Sequence, residues 1–230
     1  MTLTLGFLQA RMGSMRLPGK VLFHIAGKSI MERAIERLRA ARSLDGVVVL
    51  TTNRDEDEVV AEEAHRLGVE SYRGPGFDVL ARFRQAAGIF LPDVIVRATS
   101  DNPLIDIGSV NRIVRMLVEE GLDYCMERTL PVGAATEAIT RPALEEVDRL
   151  GCMPHHREHV TTYVKEHLDL FRTAFPDPPE ALRLPDLRIT VDTPADFVFV
   201  ERLIRAIPEG GSPIPLETYI IELTAGITAR

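Results

Sequence analysis

The stretch FLQARMGSMRLPGKVL, residues 7–22, decides how the rest of the chain reads. It follows the apolar run of residues 3–8 and precedes an amphipathic segment, so it connects a first strand to a first helix. Gly13, Ser14, Pro18 and Gly19 oppose a regular helix and specify a folded loop. Arg11, Arg16 and Lys20 lie on that loop. Residues 7–28 contain no Asp or Glu, although the chain carries 34 acidic against 27 basic residues. Open α/β sheets bind ligands just outside the C-terminal ends of their strands. A concave turn there aims backbone N–H groups, near Gly13 and Ser14, at an anion, and long cationic side chains close over it. The expected ligand of Arg11, Arg16 and Lys20 is therefore a polyphosphate.

Outward from this loop, short apolar runs alternate with amphipathic segments. Residues 29–41 read as a helix with Ile30, Ala34, Ile35 and Leu38 on one face. GVVVLTT, residues 46–52, is a β-branched run suited to a strand buried on both faces. A helix over 55–67, a strand over 68–72, a helix over 77–90, a strand over 93–99 and a helix over 107–120 continue the rhythm. Such alternation predicts right-handed βαβ units, a mainly parallel sheet and a three-layer α/β/α sandwich. The second half is less regular. Strands are expected over 122–126 and 134–140, as an antiparallel part of the sheet, and helices over 141–150 and 158–166. A Pro-rich arm over 171–185, a final strand over 187–191 and helices over 195–206 and 216–223 complete the reading. No linker separates the halves, so residues 1–230 are expected to form a single domain, with halves 1–121 and 122–230.

Composition narrows the function. A chain of 230 residues with 45% hydrophobic residues can bury a sizeable core. A net charge of −7 argues against non-specific nucleic-acid binding. Cys125 and Cys152 form no Cys-x-x-Cys pair and imply no disulfide framework. The N-terminus lacks the pattern of a signal peptide, and no apolar run approaches the roughly 20 residues needed to span a bilayer. A cytoplasmic protein without membrane contact is expected.

Two further segments end a strand on a carboxylate. RATSDNPLID, residues 97–106, carries Asp101 just past the strand DVIVRAT, where it can hold a divalent cation beside substrate phosphates; the alternative is a turn cap by Asp101 and Asn102 before Pro103. RITVDTPADF, residues 188–197, runs into Asp192, with Thr193 as N-cap and Pro194 as first helical residue; the alternative is that Asp192 assists the cap. His155 and His159 share a helical face, yet no third ligand and no His-Glu-x-x-His pattern accompany them, so no zinc site is expected.

QARMGSMRLPGKVL resembles the opening motif of the cytidylyltransferases that activate acidic sugars, in particular the CMP-Kdo synthetase and spore coat polysaccharide biosynthesis branches. The resemblance continues in order along nearly the whole chain. RATSDNPLID is similar to the metal motif of that family, and VDTPADF to the segment bearing its second metal carboxylate. It implies the Rossmann-like nucleotide-diphospho-sugar transferase fold and Mg2+ held by Asp101 and Asp192. The implied reaction is attack of a sugar hydroxyl on the α-phosphorus of CTP, with release of pyrophosphate. Arg11, Lys20 and Asp101 would carry catalysis. Gln9 and Ala10 would meet the cytosine through backbone atoms at the strand end, and Ser100 the nucleotide. GPGFDVLARF, residues 74–83, is similar to a family segment beside the base, which implies nucleotide contacts for Asp78 and Arg82; an N-cap and a surface Arg are the simpler reading. TTNRDEDE, residues 51–58, reads as a solvated helix start, although the family places nucleotide contacts nearby. Glu137 resembles a sugar-side glutamate, and REHVT matches a branch motif whose Arg157 and His159 would face an acidic sugar or a subunit interface. Met15 departs from the family, where a small hydroxyl residue is common. The family likeness further implies a homodimer. Two rival readings remain: a nucleotidyltransferase of this fold using another NTP or a sugar-1-phosphate, and a non-catalytic nucleotide-binding subunit.

Overall fold

A computed structural model describes residues 2–208, 210 and 212–228, with side chains up to residue 225. The chain runs β1 (Thr4–Gln9), a hairpin of β2 (His24–Ile25) and β3 (Lys28–Ser29), α1 (Ile30–Arg39), β4 (Gly46–Thr52), α2 (Glu58–Arg66), β5 (Glu70–Gly74), α3 (Val79–Phe90), β6 (Val94–Thr99) and α4 (Ile107–Glu119). The second half adds β7 (Tyr124–Cys125), β8 (Glu137–Thr140), α5 (Arg141–Leu150), α6 (Pro154–Glu158), α7 (Thr162–Glu166), β9 (Thr173–Ala174), α8 (Pro194–Arg205) and α9 (Leu216–Thr228).

One seven-stranded sheet has the order β5-β4-β1-β6-β8-β7-β9. β5, β4, β1 and β6 are mutually parallel, and β8 is antiparallel to both β6 and β7. β4 explains the layers. Val47 and Val49 join α1, α2 and α4 in one core, while Val48 and Leu50 join α3 and α5 on the opposite face. Period-two alternation of a wholly apolar strand sends its side chains into both. The protein is thus a three-layer α/β/α sandwich of the Rossmann-like class. From the central β1, the chain goes to β4 on one side and returns to β6 on the other. The crevice between the C-terminal ends of β1 and β6 is the topological switch point.

Two expectations are corrected. Residues 187–191 form no ladder strand; their contact is a single bridge from Val132 to Arg188. The segment crosses the C-terminal end of the sheet and spends its hydrogen bonds on loops: Ile189 N–H on the Val132 carbonyl and Val191 N–H on the Asp101 carbonyl, both at 2.9 Å. The helix expected over 158–166 is two short helices, α6 and α7, broken at His159, whose ψ is 62°. There the chain turns inward. Val160 is fully buried, and the Thr161 hydroxyl reaches the buried Glu137 carboxylate at 2.9 Å.

Candidate active site

The loop after β1 is built to hold its backbone open. Ser14 N–H and Gly19 N–H both donate to the Met12 carbonyl, at 2.8 and 2.9 Å. Gly19 takes φ 71°, which lets the chain re-enter a 3₁₀ turn at Lys20–Leu22. Among the described residues the N–H groups of Gly13, Met15 and Arg16 donate to no protein atom. From outside, Asp57 anchors the loop: its carboxylate accepts Met12 N–H at 2.6 Å and the Thr52 hydroxyl. Asp57 is 1% exposed, so this member of the acidic run is a buried support and not a solvated helix start. No sequence signal separates it from Asp55 and Glu56.

Lys20, Asp101 and Asp192 meet at the switch point. The Lys20 ammonium lies 2.9 Å from Asp101 Oδ2 and 2.7 Å from Asp192 Oδ1. Arg16 reaches the same Asp192 oxygen at 3.0 Å, and Arg188 takes the other. Asp101 Oδ1 accepts the Thr99 hydroxyl at 2.6 Å. Burial works to raise the Asp192 pKa, but the Lys20 hydrogen bond and the charges of Lys20, Arg16 and Arg188 outweigh it and hold the group below the usual carboxylate range. Capping of α8 does not involve the Asp192 side chain. Thr193 accepts Asp196 N–H at 3.2 Å, and the Asp196 carboxylate accepts the N–H of Asp192 and Thr193. Asp192 is left facing the cleft.

That cleft, of about 410 Å³, is lined by Gln9, Ala10, Arg11, Gly13, Ser14, Arg16, Lys20, Ser100, Asp101 and Asp192 from the sequence reading. Arg82 and His159, also singled out from the sequence, line it too, as does Glu158.

A family model described as "Cytidylyltransferase" matches residues 5–219. The chain belongs to the cytidylyltransferase family. An uncharacterized protein of Methanocaldococcus jannaschii, MJ1063, is 39% identical over 84% of the chain and 79% of its own length. The spore coat polysaccharide biosynthesis protein SpsF of Bacillus subtilis is 31% identical over 85% of the chain and 84% of its own. Among solved structures, a cytidylyltransferase from Leptospira borgpetersenii superposes with a TM-score of 0.92 at 30% identity, covering 99% of this chain and 96% of that one. Members of the family are nucleotidyltransferases.

Within this cytidylyltransferase, several residues singled out by sequence lie away from the cleft lining. Asp78 caps α3 through Ala81 N–H at 2.8 Å and pairs with Arg157, whose other partner is Asp148. Glu137 is enclosed by Arg97, Lys165, Thr161 and Tyr124. Burial tends to raise its pKa, and the two cations overcome that and pull it down. Arg82 is not a surface residue: it is 2% exposed, donates through Nε to the Pro75 carbonyl at 3.2 Å, and leaves Nη2 buried without a protein partner. Burial first, and Arg11 second, push its pKa down to about 10. Gln9 Oε1 is likewise buried and unpaired, so two of the described residues that line the cleft each carry a buried polar atom without a protein partner.

His155 and His156 gain a third potential ligand in Glu166, which sequence spacing did not reveal. The His156 tautomer opposes metal binding. Nδ1 accepts Met153 N–H at 3.3 Å, so in the neutral ring the proton sits on Nε2, pointing to Glu166 at 2.7 Å. The described helices include none long and apolar enough to cross a membrane.

Proposed function

We propose that this chain transfers the CMP moiety of CTP to a hydroxyl group of a sugar, releasing pyrophosphate, with Mg2+ as cofactor. The observation that carries the reading is the meeting of Asp101 and Asp192 at Lys20, beside the basic loop. The carboxylates supply hard oxygen donors of the kind Mg2+ takes, and their contact with an ammonium fits a position that favours positive charge. Bound there, the ion would neutralise charge on the phosphate oxygens and lower the pKa of the attacking hydroxyl.

The protein's own part is positioning and electrostatics. Arg11, Arg16 and Lys20 hold the β- and γ-phosphates, and the open N–H groups at Gly13, Met15 and Arg16 donate to their oxygens. Met15 brings no hydroxyl to this anion, but its main-chain N–H is open. Ala10 and Ser100 border the nucleotide at the strand ends. Arg82 and Gln9 suit cytosine: the guanidinium donates to its ring acceptors, and the amide oxygen accepts from its exocyclic amine. Uracil would set a carbonyl against that amide oxygen. His159 borders the acceptor sugar, for which the family resemblance suggests an acid. Glu137 and the Arg157–Asp78 pair support the acceptor side and the base-side helix from behind. Residues 1–121 form the nucleotide half and 122–230 the acceptor half of one domain, which works in the cytoplasm as a homodimer in polysaccharide synthesis, the process in which the related SpsF is named.

Pyrophosphate release measured with each NTP and a panel of sugars tests the proposal. CTP should be preferred, and Asp101→Asn and Asp192→Asn should each abolish turnover. Equal use of all NTPs would remove the cytidine assignment, and an active Asp101→Asn variant the metal assignment.

A further inference from the structure

Of the cations that touch Asp101 or Asp192, Lys20 is the most enclosed, its side chain 8% exposed against 62% for Arg16 and 42% for Arg188. It touches one oxygen of each carboxylate, and Asp192 Oδ1 is further shared with Arg16. A divalent ion joining Asp101 to Asp192 meets carboxylates with no free oxygen: the ammonium engages one of each, Thr99 holds Asp101 Oδ1 and Arg188 holds Asp192 Oδ2. Charges of +1 and +2 at contact distance repel strongly in a partly desolvated cleft. The ammonium must therefore withdraw as the ion enters, and a withdrawn ammonium needs another anion.

We propose that Lys20 is a built-in counter-cation that competes with the divalent ion for Asp101 and Asp192, and that the triphosphate relieves the competition by taking the ammonium. The inference rests on the metal assignment under Proposed function and adds a coupling to it. Ion and nucleotide each raise the other's affinity, by a factor that includes the transfer of Lys20 from carboxylates to phosphate. A lysine serving only to bind phosphate would leave ion affinity unchanged when no nucleotide is present.

The experiment is a titration with Mn2+ alone, followed by electron paramagnetic resonance of the free ion, on wild type, Lys20→Met and Asp101→Asn/Asp192→Asn. Removing the competitor should tighten Mn2+ binding by Lys20→Met about tenfold or more. The same variant should show a smaller gain in Mn2+ affinity on adding CTP. Mn2+ should also raise the melting temperature of Lys20→Met more than that of wild type. Equal or weaker Mn2+ binding by folded Lys20→Met overturns the counter-cation inference while leaving the metal site standing. Undiminished Mn2+ binding by the double Asn variant overturns the metal assignment itself. Should Lys20→Met fail to fold, Lys20→Gln carries the test, because it removes the same ammonium while keeping a polar side chain between the two carboxylates. It should tighten Mn2+ binding severalfold, and no change there overturns the inference equally.

Discussion

The main-chain N–H of Val191 donates to the carbonyl of Asp101 across 2.9 Å, joining two loops that lie 90 positions apart in the chain. This bond puts Asp192 beside Asp101 without any help from their side chains. Gly133 makes the approach possible. It takes φ 101°, and a Cβ there would sit 2.6 Å from Thr190 N. Gly133→Ala should therefore push the 190–192 segment away from Asp101. We expect a loss of about 1–3 kcal/mol in stability from the strained φ and the clash. Turnover should fall further than stability explains, because the carboxylates no longer meet. Melting curves and pyrophosphate-release assays on the same preparation check both.

Asp57 predicts a separation of binding from folding. Its carboxylate fixes the basic loop through Met12 N–H at 2.6 Å, and Asp57 itself is buried. Asp57→Asn keeps the size and removes the charge, at a cost of about 1–3 kcal/mol for the weakened bonds. A looser loop should raise KM for CTP more than it lowers kcat. A variant with unchanged KM would show that the loop holds its shape unaided.

The parts of this fold that were legible in sequence are those whose signal is local. GVVVLTT reads as a strand at its observed bounds because a β-branched run there begins at a glycine and ends at a turn. Thr193 and Pro194 read as cap and first residue of α8 because capping depends on neighbours three positions away. The nearness of Asp101 to Asp192 was an expectation drawn from strand ends and from the family likeness. That Lys20 sits between them is a tertiary fact. So are the burial of Asp57 and of Arg82, each of which looks like a solvated charge in its own segment. The break at His159 has the same origin: helical periodicity continues through 158–166, but Glu137, on a distant strand, draws Thr161 inward.

Arg82 and Gln9 predict base selectivity. A buried guanidinium lacking a partner for one nitrogen gains a charge-assisted hydrogen bond when the base enters, worth about 1.5–3 kcal/mol. Arg82→Gln should accordingly lower kcat/KM for CTP by roughly 10- to 150-fold. Gln9→Ala should act differently, narrowing the preference for CTP over UTP by removing the acceptor set against uracil. Competition assays with the two nucleotides separate these effects.

Glu137 predicts the acid limb of stability. Burial alone would raise its pKa, but Arg97 and Lys165 bring the net value down to about 2. Because the folded pKa lies below the unfolded one, near 4.3, the folded state binds fewer protons than the unfolded state across that window. The contribution is therefore complete above the unfolded pKa and disappears as pH falls through the folded one. Glu137→Gln should cost about 3–5 kcal/mol at neutral pH, since it leaves Arg97 and Lys165 facing a neutral amide. The gap between wild type and variant should close steadily between about pH 5 and pH 2. Urea titrations across this range measure the gap directly, and a gap independent of pH would mean that the carboxylate has the same pKa in the folded and unfolded states.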